Sequence, residues 1–504
     1  MRAVNDWGEG YITSIEYTHG FYPELAPLNL ALASLLSGVR PPDTDAPFTY
    51  LELGCGNGLT TATLAAANPH GRFYANDFNP AHVLNARSTA KAAGLSNATF
   101  LEASFAELGD ADLPEFDFIA LHGVWSWVSA VNRDHIVEII RRRLKPGGIA
   151  YVSYNCLPGW AQAAPLRRLM MEATAGSAKP PAARAEEALA FAERMRDAGA
   201  GFFAVNPKAG PALDQLKGED RNYLAHEYLN AEWSLFYQGE VAGALSAAKL
   251  GYVGQAQLLD NFDQFTLTAA QRKLAAECPA SATETVKDFA LDRRFRRDLY
   301  ARGAPRADAE EVAAWFDRRR FALVRPRRSC TPQVKTRAGT FNLEARVFEP
   351  LLDALAEAPA DLSELCGADG LAGIERRHVQ QALGVLCALG HARPALPSAG
   401  EDDRRAATAR FNDAALANAE AGRPAPALAS PVLGSGVPLP PIEQVLLAAL
   451  RRGDNPAAQA APLPAVAQEG AAENTDMPIE QARAFTRFGA PLLSQLGIDC
   501  GPAN

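Results

Sequence analysis

The first 260 residues predict an α/β fold built on a doubly wound parallel sheet, and three observations carry the prediction. Residues 50–58 read Tyr-Leu-Glu-Leu-Gly-Cys-Gly-Asn-Gly: an apolar, strand-like run breaks into glycines at alternate positions, and residues 59–67 follow with helical composition. A second apolar run, 72–76, ends in an acid, Asp77. Strand-like and helix-like stretches then alternate to about residue 154, the pattern of crossover units in a parallel sheet. Glycine in the turn after the first strand leaves the backbone open to a ligand, because no Cβ intervenes. Acids at the carboxyl edge of such a sheet stand where nucleoside ligands bind.

Taken in order, residues 1–40 hold Tyr11, Tyr17, Phe21 and Tyr22 and then an amphipathic helical run, Pro27–Leu36. Strands are expected at 49–53, 72–76, 98–102, 116–122 and 149–154, with helices at 58–67, 80–93 and 131–144. Asn79-Pro80 starts the second of these helices as a cap followed by proline at the first helical position. Lys145-Pro146-Gly147-Gly148 ends the third with breakers after a basic last turn. Residues 161–204 are rich in Ala, Arg and Glu, and strand signals return only near residue 252. This predicts a helical insert, 157–237, over the cleft at the carboxyl edge. A helix over 241–250 and a strand over 252–258 then complete the sheet, so the sheet domain comprises 1–156 and 238–270.

Residues 271–340 read as a helical, basic connector in which Arg293, Arg294, Arg296 and Arg297 form a solvated face or domain contacts. Three amphipathic helical stretches and an extended piece over 341–395 have the size and order of a winged-helix-like module. Only Arg376, Arg377 and His378 lie near the start of its last helix, so packing is expected there rather than DNA reading. Residues 396–504 read as an Ala/Pro-rich tail with two docking helices, Pro441–Leu450 and Ile479–Leu496, in which 395–440 and 454–477 read as linkers or partly ordered wraps.

The bulk numbers narrow the class. A chain of 504 residues with 48% apolar and 21% charged residues predicts several globular domains. Its net charge of −9 disfavours nucleic acid as a partner. Seven cysteines without metal-ligand spacing argue against a disulfide framework and against zinc, and for a reducing cytoplasm. No apolar run approaches the roughly 20 residues of a membrane span. Met1–Gly10 carries Asp6, Trp7 and Glu9 and gives no expectation of a secretory signal.

Spacing separates the possible ligands. A dinucleotide fingerprint is G-x-G-x-x-G, whereas Gly54, Gly56 and Gly58 give G-x-G-x-G, with Glu52 two residues before the first glycine. A carboxylate so placed is a poor neighbour for a pyrophosphate and suits a ligand ammonium. This stretch resembles the first motif of class I S-adenosylmethionine-dependent methyltransferases, whose fold is Rossmann-like, and Asp77 matches the acid that family aims at the ribose hydroxyls. Residues 116–128 (Phe-Asp-Phe-Ile-Ala-Leu-His-Gly-Val-Trp-Ser-Trp-Val) and 144–160 are similar to bacterial methyltransferases with a methyltransferase regulatory domain. So are Ala225-His226-Glu227-Tyr228-Leu229 and Phe295-Arg296-Arg297-Asp298-Leu299. That family includes protein-lysine methyltransferases. The resemblance spans about residues 5–300 and leaves the Ala/Pro-rich tail unexplained.

The resemblance implies S-adenosylmethionine as cofactor and a set of residues around it. Gly54, Cys55, Gly56 and Gly58 would approach the methionine end, and Glu52 would either orient its ammonium or satisfy loop amides. Asp77 would grip the ribose, with helix capping as the competing reading. Phe78 would lie along the adenine, and Ala103 and Ser104 would meet its edge. His122 would border the sulfonium, and Tyr17, with Tyr11 and Tyr22, would fold over the cofactor. The candidate catalytic group is His122, Trp125 and Tyr154, on a rim with Trp127, Asn155 and Trp160, against core packing for the aromatics. No general base and no metal are assigned. The expected function is methyl transfer with protein lysine favoured as acceptor. A small-molecule O- or N-methyltransferase and a non-catalytic cofactor-binding regulator are the alternatives.

Overall fold

In the computed structural model, which describes residues 20–455 and 477–501, the apolar runs of the first 155 residues become parallel strands. They are β1 (Thr49–Leu53), β2 (Arg72–Asp77), β3 (Ala98–Glu102), β4 (Phe116–Leu121) and β5 (Leu144–Asn155), paired in the order 3-2-1-4-5. The helices are α1 (Pro27–Leu36), α2 (Leu59–Ala67), α3 (Pro80–Ala92), α4 (Phe105–Asp110) and α5 (Ala130–Arg143). Their starts follow local chemistry. The Asn79 side chain accepts from the Ala81 N–H, Ser104 and Glu107 form a reciprocal capping box, and Ser129 accepts from the Asn132 N–H. Alternate strand residues feed two apolar layers. Tyr50, Phe73, Phe118 and Tyr151 pack with α1 on one face, and Leu51, Leu53, Ile119 and Val152 pack with α5 on the other.

The insert is helical: α6 (Ala164–Ala173), α7 (Pro181–Asp197), α8 (Gly201–Val205), α9 (Ala209–Lys217) and α10 (Arg221–Leu229). It has its own apolar cluster around Leu166, Met170, Leu189, Leu213 and Leu224. The chain returns through α11 (Gln238–Ser246) and β6 (Leu250–Gln255), then α12 (Asp263–Thr266), α13 (Ala269–Glu277) and α14 (Ala280–Leu291).

The connector over 271–340 is not uniformly helical: Phe295–Arg302 forms β7, inserted between β5 and β6 and antiparallel to both. The sheet is therefore mixed, in the order 3-2-1-4-5-7-6. The arginine cluster is not a solvated face either. Arg296 is fully buried; its guanidinium meets Asp288 at 2.6 Å, Asp298 at 2.8 Å and Glu284 at 2.8 Å. Arg297 pairs with Glu24 at 2.8 Å. Charges that satisfy one another inside the fold disguise the strand alternation of Phe295-Arg-Arg-Asp-Leu-Tyr.

Beyond the sheet come α15 (Ala309–Asp317), β8 (Arg320–Leu323), the hairpin β9 (Gln333–Thr336)–β10 (Gly339–Asn342) and α16 (Ala345–Glu357). They are followed by β11 (Ala360–Asp361), α17 (Leu362–Cys366), α18 (Arg376–Ala388) and β12 (Ala392–Ala395). β8 lies between β11 and β12, giving the small module its wing-like sheet. Arg376 is tied to Asp317 at 2.5 Å and Arg377 to Glu375 at 3.7 Å.

Residues 395–440 are not a linker but wrap onto the sheet domain in ordered elements. They hold α19 (Glu401–Glu420) and the hairpin β13 (Ala427–Ser430)–β14 (Ser435–Pro438), which lead into α20 (Pro441–Arg451). Their paucity of large apolar residues reflects close packing. Phe411 and Ala429 lie against Ala62, Ala66, Val83 and Phe100. Helices Met477–Ala484 and Ala490–Gln495 follow, and most of the second expected linker lies outside the described residues. Among the described residues no helix is long and apolar enough to cross a membrane.

Removing one partner of a buried ion cluster leaves the others unpaired. Arg296→Ala is therefore expected to lower unfolding free energy by roughly 3–5 kcal/mol in urea titration. A loss near zero would show the three carboxylates to be solvated.

Candidate functional site

The site is built at the carboxyl edge of β1, β2 and β4. After β1 the chain turns through Gly54, Gly56 and Gly58, all left-handed with φ of +67°, +55° and +68°. A Cβ on Gly54 would lie 2.6 Å from the Val124 side chain, whereas a Cβ on Gly56 would meet nothing within 4 Å. Gly56 thus turns bare backbone toward open space. The Asp77 carboxylate holds this turn. One oxygen accepts the Gly56 N–H at 2.9 Å; the other accepts the Asn79 N–H at 2.9 Å and lies 3.2 Å from His82 Nδ1. The capping role considered for Asp77 falls to Asn79.

These elements enclose a cavity of about 640 Å³, in the range of small-molecule sites. Of the residues expected at the cofactor, Glu52, Gly54, Cys55, Gly56, Asp77, Phe78, Ala103, Ser104 and His122 line it. Gly58 does not: it starts α2, and a Cβ there would come within 2.6 Å of Ala86 and Phe100. Tyr17, like Tyr11, lies outside the described residues. Tyr22 takes a place in the wall, its ring stacked on His122 at a centroid distance of 3.7 Å.

Two expected catalytic residues are corrected. Trp125 is buried in the sheet's apolar layer, because the turn after β4 sends its side chain inward while Trp127 faces the cavity. Tyr154 is equally buried, and its hydroxyl donates to Asp298 at 2.7 Å, within the Arg296 cluster. Asn155 and Trp160 do not line the cavity; Trp160 packs in the insert, 5.3 Å from the Trp233 ring.

Sequence reasoning missed the outer wall. Val128, Ser129 and Asn132 at the start of α5 contribute, and so does Glu232 from the segment after α10. That segment is pinned by the Ser234 N–H donating to Ser126 O at 2.8 Å and the Leu157 N–H donating to Phe236 O at 3.0 Å. No local signal in the sequence links residue 232 to residue 126.

Electrostatically the cavity is acidic. Glu52, Asp77, Glu102, Glu107 and Glu232 line it, and among the described lining residues none is Lys or Arg. Burial pushes the Glu52 carboxyl up to about 7, opposed by the Thr61 hydroxyl that it accepts and reinforced by Asp77. Burial, with the Arg297 charge, pushes His122 down to about 3, so its imidazole is neutral at ordinary pH. His122 Nδ1 lies 2.7 Å from the Tyr151 hydroxyl. Burial, then Glu24, Glu52 and Glu227, pushes Tyr22 up to about 12 and keeps its hydroxyl protonated.

A parallel-sheet edge with a glycine cradle, a ribose-competent acid and an acid-lined cavity defines a nucleoside-cofactor site for a cationic ligand. Comparisons with known proteins agree. Residues 51–150 match the family described as methyltransferase domain, and residues 220–302 match that described as predicted methyltransferase regulatory domain. An uncharacterized protein of Synechocystis sp. is 40% identical over 503 residues, covering 98% of this chain and 99% of that one. O-methyltransferase 3 of Dictyostelium discoideum is 30% identical over 117 residues, 22% of this chain and 26% of that one. The structure of PKMT2 from Rickettsia typhi in complex with AdoHcy shares the fold, with a TM-score of 0.65 at 18% identity, over 95% of this chain and 98% of that one. The chain belongs to the class I S-adenosylmethionine-dependent methyltransferases that carry a methyltransferase regulatory domain.

Two outcomes follow for the cofactor. Asp77→Ala removes the brace of the glycine turn. It is expected to weaken S-adenosylhomocysteine by about 100-fold or more in calorimetry. A ligand ammonium placed beside Glu52 would favour the ionised carboxylate, so that binding below its pKa would expel a proton. Affinity should rise as pH increases toward about 7 and level off above it, and Glu52→Gln should flatten the profile.

Proposed function

We propose that the chain methylates lysine side chains of a protein substrate. The observation that carries this reading is the cavity's charge: five carboxylates line it with no lysine or arginine among the described lining residues, and Glu102, Glu107 and Glu232 are exposed at its rim. A basic segment is attracted to such a rim, and an acidic chain of net charge −9 strengthens the attraction. The likeness in fold to PKMT2, solved with AdoHcy, supports the same reading.

S-adenosylmethionine supplies an electrophilic methyl group when bound. Gly54, Cys55 and Gly56 would accommodate its methionine end, with Glu52 toward its ammonium, Asp77 at the ribose and Phe78, Ala103 and Ser104 around the adenine. Transfer then depends on alignment of the acceptor more than on acid–base help. The Tyr22, His122 and Trp127 rings form a partly dry end, which favours the neutral amine of a lysine whose ordinary pKa is about 10.4. His122, held neutral down to about pH 3, is too weak a base to take the proton and serves as wall and ring partner. Glu232, further out, would take the positive charge of residues flanking the lysine. The seven free cysteines support a reducing cytoplasm as the place of action.

The test uses labelled S-adenosylmethionine with lysine-containing basic peptides and, in parallel, small phenols and amines. Methyl groups on lysine Nζ by mass spectrometry are expected. Glu232→Lys should raise KM for the peptide about 10-fold while S-adenosylhomocysteine affinity stays unchanged. Methylation confined to the small molecules would overturn the lysine reading.

A further inference from the structure

The C-terminal unit reaches the cavity wall through its hairpin. β13–β14 lies on α2, the helix that starts at the cofactor turn. At its turn the Asn68 Nδ2, just past the end of α2, donates to the Gly434 carbonyl at 2.8 Å. Two residues on, a Cβ on Gly436 would sit 2.6 Å from Phe21 Cζ and 2.8 Å from Thr63 Cγ2. Glycine stands there for space, because the Phe21 ring fills the place of its side chain. Phe21 is nearly buried, in the same apolar cluster as Leu25 and Tyr50.

The next residue is Tyr22, in the cavity wall and stacked on His122 with 27° between the rings. Tyr22 is extended, with φ −116° and ψ 92°, and successive extended residues point to opposite sides. Seating Phe21 against Gly436 on one side therefore sets where Tyr22 falls on the other. The far end of this strap is anchored by the Glu24–Arg297 pair at 2.8 Å, and the hairpin packs against Phe21 at its near end.

We propose that Phe21 and Gly436 are positioning residues for methyl transfer: the C-terminal hairpin seats Phe21, and Phe21 holds Tyr22 against His122 as a wall of the cofactor cavity. More than 400 residues separate the two partners in sequence. The proposal rests on the cavity being the S-adenosylmethionine site.

The test is a double-mutant cycle in the full chain, with S-adenosylhomocysteine as the probe and affinity and dissociation rate as readouts. Gly436→Ala is expected to weaken binding about 10-fold, and Tyr22→Ala comparably, with the double variant no weaker than Tyr22→Ala alone. Phe21→Leu, which makes room for the added methyl, should restore part of the affinity to Gly436→Ala. Wild-type affinity in Gly436→Ala, or losses that multiply in the double variant, would overturn the proposal, since a purely structural defect adds independently of Tyr22. If Gly436→Ala does not fold, Phe21→Leu alone approaches the contact from the other side. It should weaken binding severalfold in the wild-type background and not at all beside Tyr22→Ala. A wild-type chain that does not bind S-adenosylhomocysteine would instead defeat the cofactor reading, and the proposal with it.

Discussion

The Asp77 carboxylate is the joint on which the site depends. It ends β2, yet it accepts the N–H of Gly56 in the turn after β1 and the N–H of Asn79 at the start of α3. Hydrogen bonds to a charged acceptor are the strong ones, and this one is nearly buried. Three left-handed glycines give the turn its shape, and Asp77 gives it a fixed position against the neighbouring strand. Where the turn sits decides where a cofactor can lie, because Phe78, Ala103 and Ser104 continue the same sheet edge.

Charge and dryness are divided along the cavity. Glu52 is buried among the turn and α2, where its ionisation is costly, and a cationic ligand relieves that cost. Glu232 and Glu102 remain exposed, where they attract without paying desolvation. Between them stand a histidine kept neutral by burial and a tyrosine kept protonated. Among the described lining residues there is no lysine or arginine to compete with a sulfonium or an ammonium. Such an arrangement suits methyl transfer from a cationic donor, whose chief demand is geometry.

The second half of the molecule supports the first through two unlike devices. The buried Arg296 cluster joins β7 to α14 and, through Asp298, to Tyr154 on β5, so that strand is fixed by ion pairs rather than by apolar contact alone. The C-terminal unit uses small residues. α2 is Leu-Thr-Thr-Ala-Thr-Leu-Ala-Ala-Ala and almost entirely buried, which lets α19 and the β13–β14 hairpin approach it closely. Alanine and glycine there mark tight packing of one layer on another.

Local chemistry made the sheet-forming half legible. The apolar runs, Asn79-Pro80, and the glycine turn with Glu52 and Asp77 are short-range signals, and each acts through neighbours in the chain. They determined the first five strands and their parallel sheet, the nucleoside edge and most of the cavity's inner lining. Tertiary structure alone decided the rest, because those features depend on partners far apart in sequence. β7 is a strand whose charges are satisfied only once Asp288, Glu284 and Asp298 surround Arg296. Trp125 and Trp127 look alike in sequence, and the turn after β4 sends one into the core and the other into the cavity. Glu232 reaches the rim because Ser234 is bonded to Ser126, and α19 and the β13–β14 hairpin pack onto the sheet domain because α2 offers a surface of matching small residues. Composition records which residues are present, and only the folded chain brings their distant partners within reach.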